Sequence, residues 1–295
     1  VIGPTVKGPA LVPTVVESFA EFEAKFGSTF KSGSNYYQYL TSHTVENYLK
    51  HSGKCTIVRI LDGTFGPASA LVPTGSGAQH TGSSVVNMAD NVAASSIRLT
   101  TLADGGLMNN RYGTGDLASH GTNCSLKSGS INNLRWEITS VSPKKGTFSL
   151  AIRTGNDTSK RKNAIETWNN LSLDPNSNNY APKVVGDQVQ KFVYDNGEAY
   201  LQPSGSYPNK SKYFRIEVLK DTIDYLDENG DFRDNNLTAS LPGLGSGSWG
   251  GTFTGGDNGY AGFDALGGIQ GTNASENYNF YRAINATNSQ GYKFS

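Results

Sequence analysis

Gly245-Ser246-Gly247-Ser248-Trp249-Gly250 has the spacing of a dinucleotide loop, in which glycines let the backbone approach a pyrophosphate at a helix N-terminus. The context supplies no such helix: Pro242 stands just before the segment and another glycine run follows it, so it reads as a plain loop. Asp224-Tyr225-Leu226-Asp227-Glu228-Asn229-Gly230-Asp231 carries enough carboxylates to suggest calcium, which takes several oxygen ligands from one loop. Aligning Gly230 with the glycine such a loop requires puts Tyr225 at the first ligand position and Asn236 at the bidentate acid position. The segment therefore reads as a solvated acidic turn.

The histidines His43, His51, His80 and His120 lie apart, and only His120 with Cys124 has the spacing of two ligands on one helical turn. Two ligands do not close a zinc site. Asp104, Asp116 and His120 could join a serine in a triad, which is recognised by geometry and not by order. No Gly-x-Ser-x-Gly elbow accompanies them, and no Gly-x-x-x-x-Gly-Lys-Ser/Thr phosphate loop is present. Trp136, Trp168 and Trp249 could stack on sugar rings, but Trp136 and Trp168 fall in patterned segments and read as core. That leaves Trp249, with nearby Tyr260, as the surface candidate. No catalytic, cofactor-binding or metal-ligating residue is assigned, no cofactor is expected, and the chain does not read as an enzyme.

The elements that must position these groups belong to a chain of 295 residues, long enough to bury a sizeable core. Lys plus Arg (25) balance Asp plus Glu (25), so no global field draws in nucleic acid or an anionic membrane surface. Glycine at 35 residues, aromatics at 11% and charged residues at 17% fit an ordered, turn-rich β protein. Cys55 and Cys124 make no disulfide framework and read as free thiols. Seven Asn-x-Ser/Thr sequons, at Asn123, Asn156, Asn170, Asn209, Asn236, Asn273 and Asn285, are close to what so much Asn, Ser and Thr yields by chance. There is no apolar run long enough for a membrane span and no basic-then-apolar leader.

Ser18 with Glu21 three residues on is a capping box; Phe19, Phe22 and Phe26 recur on one helical face, and Gly27 stands where that helix stops. The spacing predicts a second helix over 34–51, with Tyr37, Leu40, Tyr48 and Leu49 on its face, Lys50 and His51 in its last turn, and Gly53 just past its end. Cys55-Thr56-Ile57-Val58-Arg59-Ile60-Leu61 reads as a buried strand. From 66 to 133 the chain turns to Gly, Ser, Asn and Ala with short apolar stretches such as Ser96–Leu99, which suggests an inserted, loop-rich β region. Trp136–Thr139 and Gly146–Arg153 alternate as a hairpin turned at Pro143–Gly146. A helix is expected over 158–171, with Ile165, Trp168 and Leu171 facing inward. Beyond Val185 come strands at Phe192–Tyr194 and Tyr213–Leu219, with an Asn196-Gly197 turn.

Val1-Ile2-Gly3-Pro4, the turn Gly8-Pro9-Ala10, and Ser18-Phe19-Ala20-Glu21-Phe22-Glu23-Ala24-Lys25-Phe26-Gly27 together resemble the N-terminal core of tail sheath proteins of contractile-tailed bacteriophages. Three further blocks resemble that family in the same order: Tyr36-Tyr37-Gln38-Tyr39-Leu40 through Val58-Arg59-Ile60; Asn170-Leu171-Ser172-Leu173-Asp174-Pro175-Asn176-Ser177 with Tyr180, Val184 and Val185 in a short helix; and the turn Phe253–Gly259. The likeness covers roughly 1–65, 134–190 and 250–285.

The resemblance implies an α+β protein whose discontinuous core of mixed sheet and helices carries β-rich, loop-rich inserted protruding subdomains. The expected division is a first core segment over 1–65, an insertion over 66–133, a second core segment over 134–190, a second β-rich excursion over 191–250, and the start of a C-terminal region over 251–295. A fragment is expected, lacking the N-terminal arm and the C-terminal tube-facing domain and remaining monomeric. The whole subunit is expected to stack as hexameric rings around the inner tail tube, bounded by baseplate and tail terminator. Its place would be the virion tail after assembly in the host bacterial cytoplasm, with neither nucleic acid nor membrane as partner. An extracellular β-rich adhesin or carbohydrate-binding module is the alternative. Phe19, Phe22, Phe26, Tyr37, Leu40, Ile57, Val58, Ile60 and Trp168 are the expected core.

Overall fold

The computed structural model describes residues 1–32, 35–60, 62–75, 80–81, 84–85, 92–104, 134–154, 157, 160–244 and 251–260. In order, its elements are β1 (Ile2–Gly3), β2 (Thr14–Val16), α1 (Phe19–Phe26), β3 (Thr29–Ser32), β4 (Asn35–Gln38), α2 (Leu40–Leu49), β5 (Cys55–Arg59), β6 (Asp62–Pro73), β7 (His80–Thr81), β8 (Ser84–Val85), β9 (Ser95–Asp104), β10 (Arg135–Ser142), β11 (Thr147–Arg153), β12 (Ala164–Ser172), α3 (Ala181–Val185), β13 (Val189–Asp195), β14 (Glu198–Ser204), β15 (Phe214–Val218), β16 (Gly251–Thr252) and β17 (Thr254–Tyr260). Short helices among several small sheets make this an α+β, β-rich fold. The described residues fall into two compact units, one from Val1–Pro67 with 103–104 and 256–260, the other within Ala68–Leu102 and Gly129–Gly255.

In the first unit a sheet of order β1-β5-β2 carries α1 and α2. Ser18 has the extended backbone of an N-cap, and its Oγ accepts the Glu21 amide at 3.2 Å. The Glu21 carboxylate returns to accept the Glu17 amide at 2.9 Å, one residue before the position a capping box uses. Gly27, at φ 70°, ends the helix and donates its amide to Glu23 O. Phe22 and Phe26, with ring centroids 5.5 Å apart, are fully buried with Val16, Val45, Cys55 and Ile57, while Phe19 and Leu49 pack at the margin. Each such side chain contributes about 1.5–3 kcal/mol by leaving water.

The second helix is shorter than the spacing predicts. Residues 35–38 form β4, paired with β3, and α2 begins at Leu40, whose side chain is 67% exposed. The helix instead buries Thr41, Ser42 and Val45, because Tyr39, itself buried, takes the entry position and rotates the face by one residue. Val58 and Ile60 are half-buried, and the Tyr37 side chain lies outside the described residues.

In the second unit β10 and β11 form the expected hairpin within a sheet of order β12-β11-β10-β16. Gly146 closes its turn at φ 63°, and a Cβ there would lie 2.5 Å from the Tyr225 ring. The helix expected over 158–171 is a strand: β12 pairs antiparallel with β11, placing Trp168 beside Leu150. β-branched Ile165 and Thr167 suit an extended edge, and the unsatisfied edge of β11 supplies the partner that outweighs the helical spacing. Trp168 is half-buried and donates its ring N–H to Glu166, so it is not core. Leu171 and Leu173 are buried ahead of α3, where the expected short helix stands.

A four-stranded sheet has the order β15-β9-β6-β17. Ser96–Leu99 thus lies in a long strand, β9, where Ile97 and Leu99 are fully buried. Phe253–Gly259, expected as a turn, mostly forms β17, paired with β6. Hairpin β13–β14 stands as a two-stranded sheet turned at Asn196-Gly197.

Candidate functional site

Two clusters of charged side chains are buried, one in each unit, and the first includes Asp104, one of the acids singled out in sequence. Arg59 ends β5 and is 2% exposed. Its Nη1 donates to Gly8 O at 2.6 Å, and its carbonyl accepts the Leu11 amide at 2.9 Å. Asp104, at the end of β9, accepts the Ala10 amide at 2.7 Å on Oδ2 and donates its own amide to Gly8 O. Gly8-Pro9-Ala10 is thus gripped from two strand ends. Leu11, at φ 58°, sits in a left-handed conformation that costs a non-glycine residue about 1–2 kcal/mol, offset by these bonds.

The electrostatics follow from dryness. Burial lowers the Arg59 pKa to about 10, with Asp104 opposing the shift, and raises Asp104, against which the Ala10 amide and Arg59 both work. Lys7, next to the gripped turn and 5% exposed, is pulled down to about 7 by burial. Its amide donates to Phe26 O and its carbonyl accepts the Thr5 hydroxyl, so the N-terminal segment is fixed onto α1 as well.

In the second unit Asp157 lies between two arginines. Arg135 Nη1 reaches Asp157 Oδ1 at 2.8 Å, and Arg153 Nε reaches Oδ2 at 2.7 Å, with all three side chains at most 3% exposed. Oδ2 also accepts the Asn163 amide, and Glu137 bridges Arg153 to Lys162. Burial lowers the Arg135 pKa, Asp157 opposes the shift and Arg153 adds to it. The cluster ties Asp157 and the Asn163 amide, both between β11 and β12, to Arg135 at the start of the hairpin.

In both arrangements an aspartate holds a backbone amide, and in the second it is also ion-paired with two guanidinium groups. Neither pairs a nucleophile with a base, and among the described residues no group of three His, Cys, Asp or Glu could hold a metal ion. The acidic turn is closed on itself, since Asp227 Oδ1 accepts the amides of Asn229 and Asp231. His43 and His51 are exposed on and just after α2, and Cys55 is a buried free thiol. Asp116, His120, Cys124 and the loop 245–250 with Trp249 lie outside the described residues, as do the side chains of His80 and Tyr260. The chemistry-bearing residues that sequence reading passed over are Lys7, Arg59, Arg135, Arg153 and Asp157. A signal was present for Arg59, inside the apolar run Ile57–Leu61, and for Arg153, at the end of Leu150–Ile152, where a charge must find a partner; Arg135, between Leu134 and Trp136, carried a weaker one. No protein-family model matches the chain, and no curated protein matches it.

Proposed function

We propose that the chain is the core of a contractile tail sheath subunit, which works by assembling and shearing rather than by chemistry. The observation that carries the proposal is that three of the stretches resembling the family are packing units: β2 with the capped, Phe-faced α1, the buried strand β5, and the Leu171–Leu173 segment leading into α3. Asp104 and Asp157, the aspartates of the two buried charge clusters, likewise hold backbone amides.

In this function whole subunits stack as hexameric rings around the inner tail tube, between baseplate and terminator, and contraction drives the tube through the host envelope. The contacts must be head-to-tail and must not close on themselves, so that they repeat along a helix. Two packings of one subunit, separated by a barrier, store the free energy that a baseplate signal releases. The even charge balance suits such density, where like-charged neighbours would repel.

The test is negative-stain microscopy of the protein expressed from its complete reading frame, beside residues 1–295 in the same buffer. Striated tubes from the complete frame, with only small particles from residues 1–295, are the expected result. Small particles from both would overturn the proposal.

A further inference from the structure

Hairpin β13–β14 pairs with no other strand among the described residues, and a two-stranded ribbon alone is marginal in water. Asn196 at φ 49° and Gly197 at φ 86° make a type I′ turn, so Asp195 and Glu198 form the hydrogen-bonded pair that closes it. Counting back, the main-chain groups of 191, 193 and 195 are engaged with β14, and those of 190, 192 and 194 point out of the free β13 edge. The outward positions of β14 are 199, 201 and 203, and Pro203 has no N–H there, a guard against strand addition. The β13 edge has no such guard.

Its charges are also unresolved within the hairpin. Asp195 and Glu198 stand directly opposite each other, an arrangement that repels, while Lys191 stands opposite neutral Gln202. All four are exposed, and Tyr194 is 70% exposed.

We propose that β13 pairs antiparallel with β13 of a second copy of this chain, with Val193 on the two-fold axis. In that register Lys191 lies opposite Asp195 of the second copy, and the reciprocal pair follows by symmetry. The carboxylate pair Asp195 and Glu198 then gains the missing cation, in a row that runs Glu198, Asp195, Lys191 of the second copy, Gln202 of the second copy. Positions 192 and 194 exchange main-chain hydrogen bonds across the axis, and Tyr200 of each copy flanks the central valines. The ribbon doubles its width and ends on both sides at an edge guarded by Pro203. Such a contact closes on itself, unlike the one-way stacking of rings, so it is independent of the sheath proposal and its failure leaves that proposal standing. It replaces the expectation of a monomer for this chain.

Sedimentation equilibrium of the 295-residue chain up to about 100 μM, at low salt where exposed charges are least screened, tests it. A monomer–dimer equilibrium is expected. Lys191→Asp and Asp195→Lys should each weaken it about tenfold or more, and the double variant Lys191→Asp/Asp195→Lys should recover it, because the pair is only reversed. Matching circular dichroism spectra establish that all variants are folded. A monomer at every concentration, single variants that dimerise as well as the parent, or a double variant no tighter than the singles would each overturn the pairing.

Discussion

Arg59 Nη1 and the carbonyl oxygen of Gly8, 51 residues apart in sequence, meet at 2.6 Å in a site closed to water. The bond fastens the N-terminal turn to the end of β5, and Asp104 holds the same turn from the end of β9. Removing the guanidinium would leave Gly8 O without that donor and take away a nearby positive charge that favours the ionised Asp104 carboxyl. Arg59→Met is therefore expected to cost about 1.5–3 kcal/mol in urea denaturation, the range for a buried hydrogen bond from a charged donor. Arg59→Lys should recover only part of it, because an ammonium offers no fork of donors. An unchanged midpoint in Arg59→Met would show that the turn holds itself.

Lys7 gives the first unit a pH dependence of defined sign. Its pKa falls from 10.5 in the unfolded chain to about 7 in the folded one, so between those values the unfolded state binds more protons and stability rises with pH. The slope is at most about 1.4 kcal/mol per pH unit for one group. Arg59, lowered to about 10, extends the rise at its upper end. Asp104, whose pKa is raised above 3.8, acts oppositely and only in the acid range just above that value. Urea midpoints between pH 7 and about 10 should climb in the parent and stay flat in Lys7→Met, with the rise due to Arg59 left to higher pH in both. A flat parent profile would count against the buried amine.

Asp157 is the shared acceptor of two buried guanidinium groups, and Asp157→Asn would leave Arg135 facing Arg153 without the charge between them. A loss of about 3–5 kcal/mol is expected, read as a lower thermal midpoint of the second unit. Near-neutral behaviour would mean that Glu137 alone balances the pair.

The cores of the two helices can be told apart by paired substitutions. Phe22→Ala empties a fully buried position and should cost about 3–5 kcal/mol, whereas Leu40→Ala, at an exposed helix start, should fall within about 0.5 kcal/mol. Equal losses from both would restore Leu40 to the core.

Legibility differed between local and non-local features. The cap at Ser18, the stop at Gly27, the hairpin turned at Pro143–Gly146 and the type I′ turn at Asn196-Gly197 are written in a few adjacent residues, and each stands where spacing puts it. The helix expected over 158–171 gives way to β12 because Ile165, Trp168 and Leu171 fit a helical face as well as they fit an edge strand. Only the free edge of β11 breaks that tie. The charge clusters follow the same rule: an arginine beside apolar strand residues, as Arg59 and Arg153 are, announces a need for a partner without saying which.

By itself, then, the sequence determined where the chain turns, caps and alternates, because those choices depend on side chains within one or two turns of each other. It also settled the even balance of charge and the mixed, β-rich class. Tertiary structure alone decided that Arg59 meets Gly8 and Asp104, that Asp157 lies between Arg135 and Arg153, and that 164–172 is extended. In each case the deciding partner comes from a different element, and desolvation makes an unpartnered charge or strand edge too costly to leave.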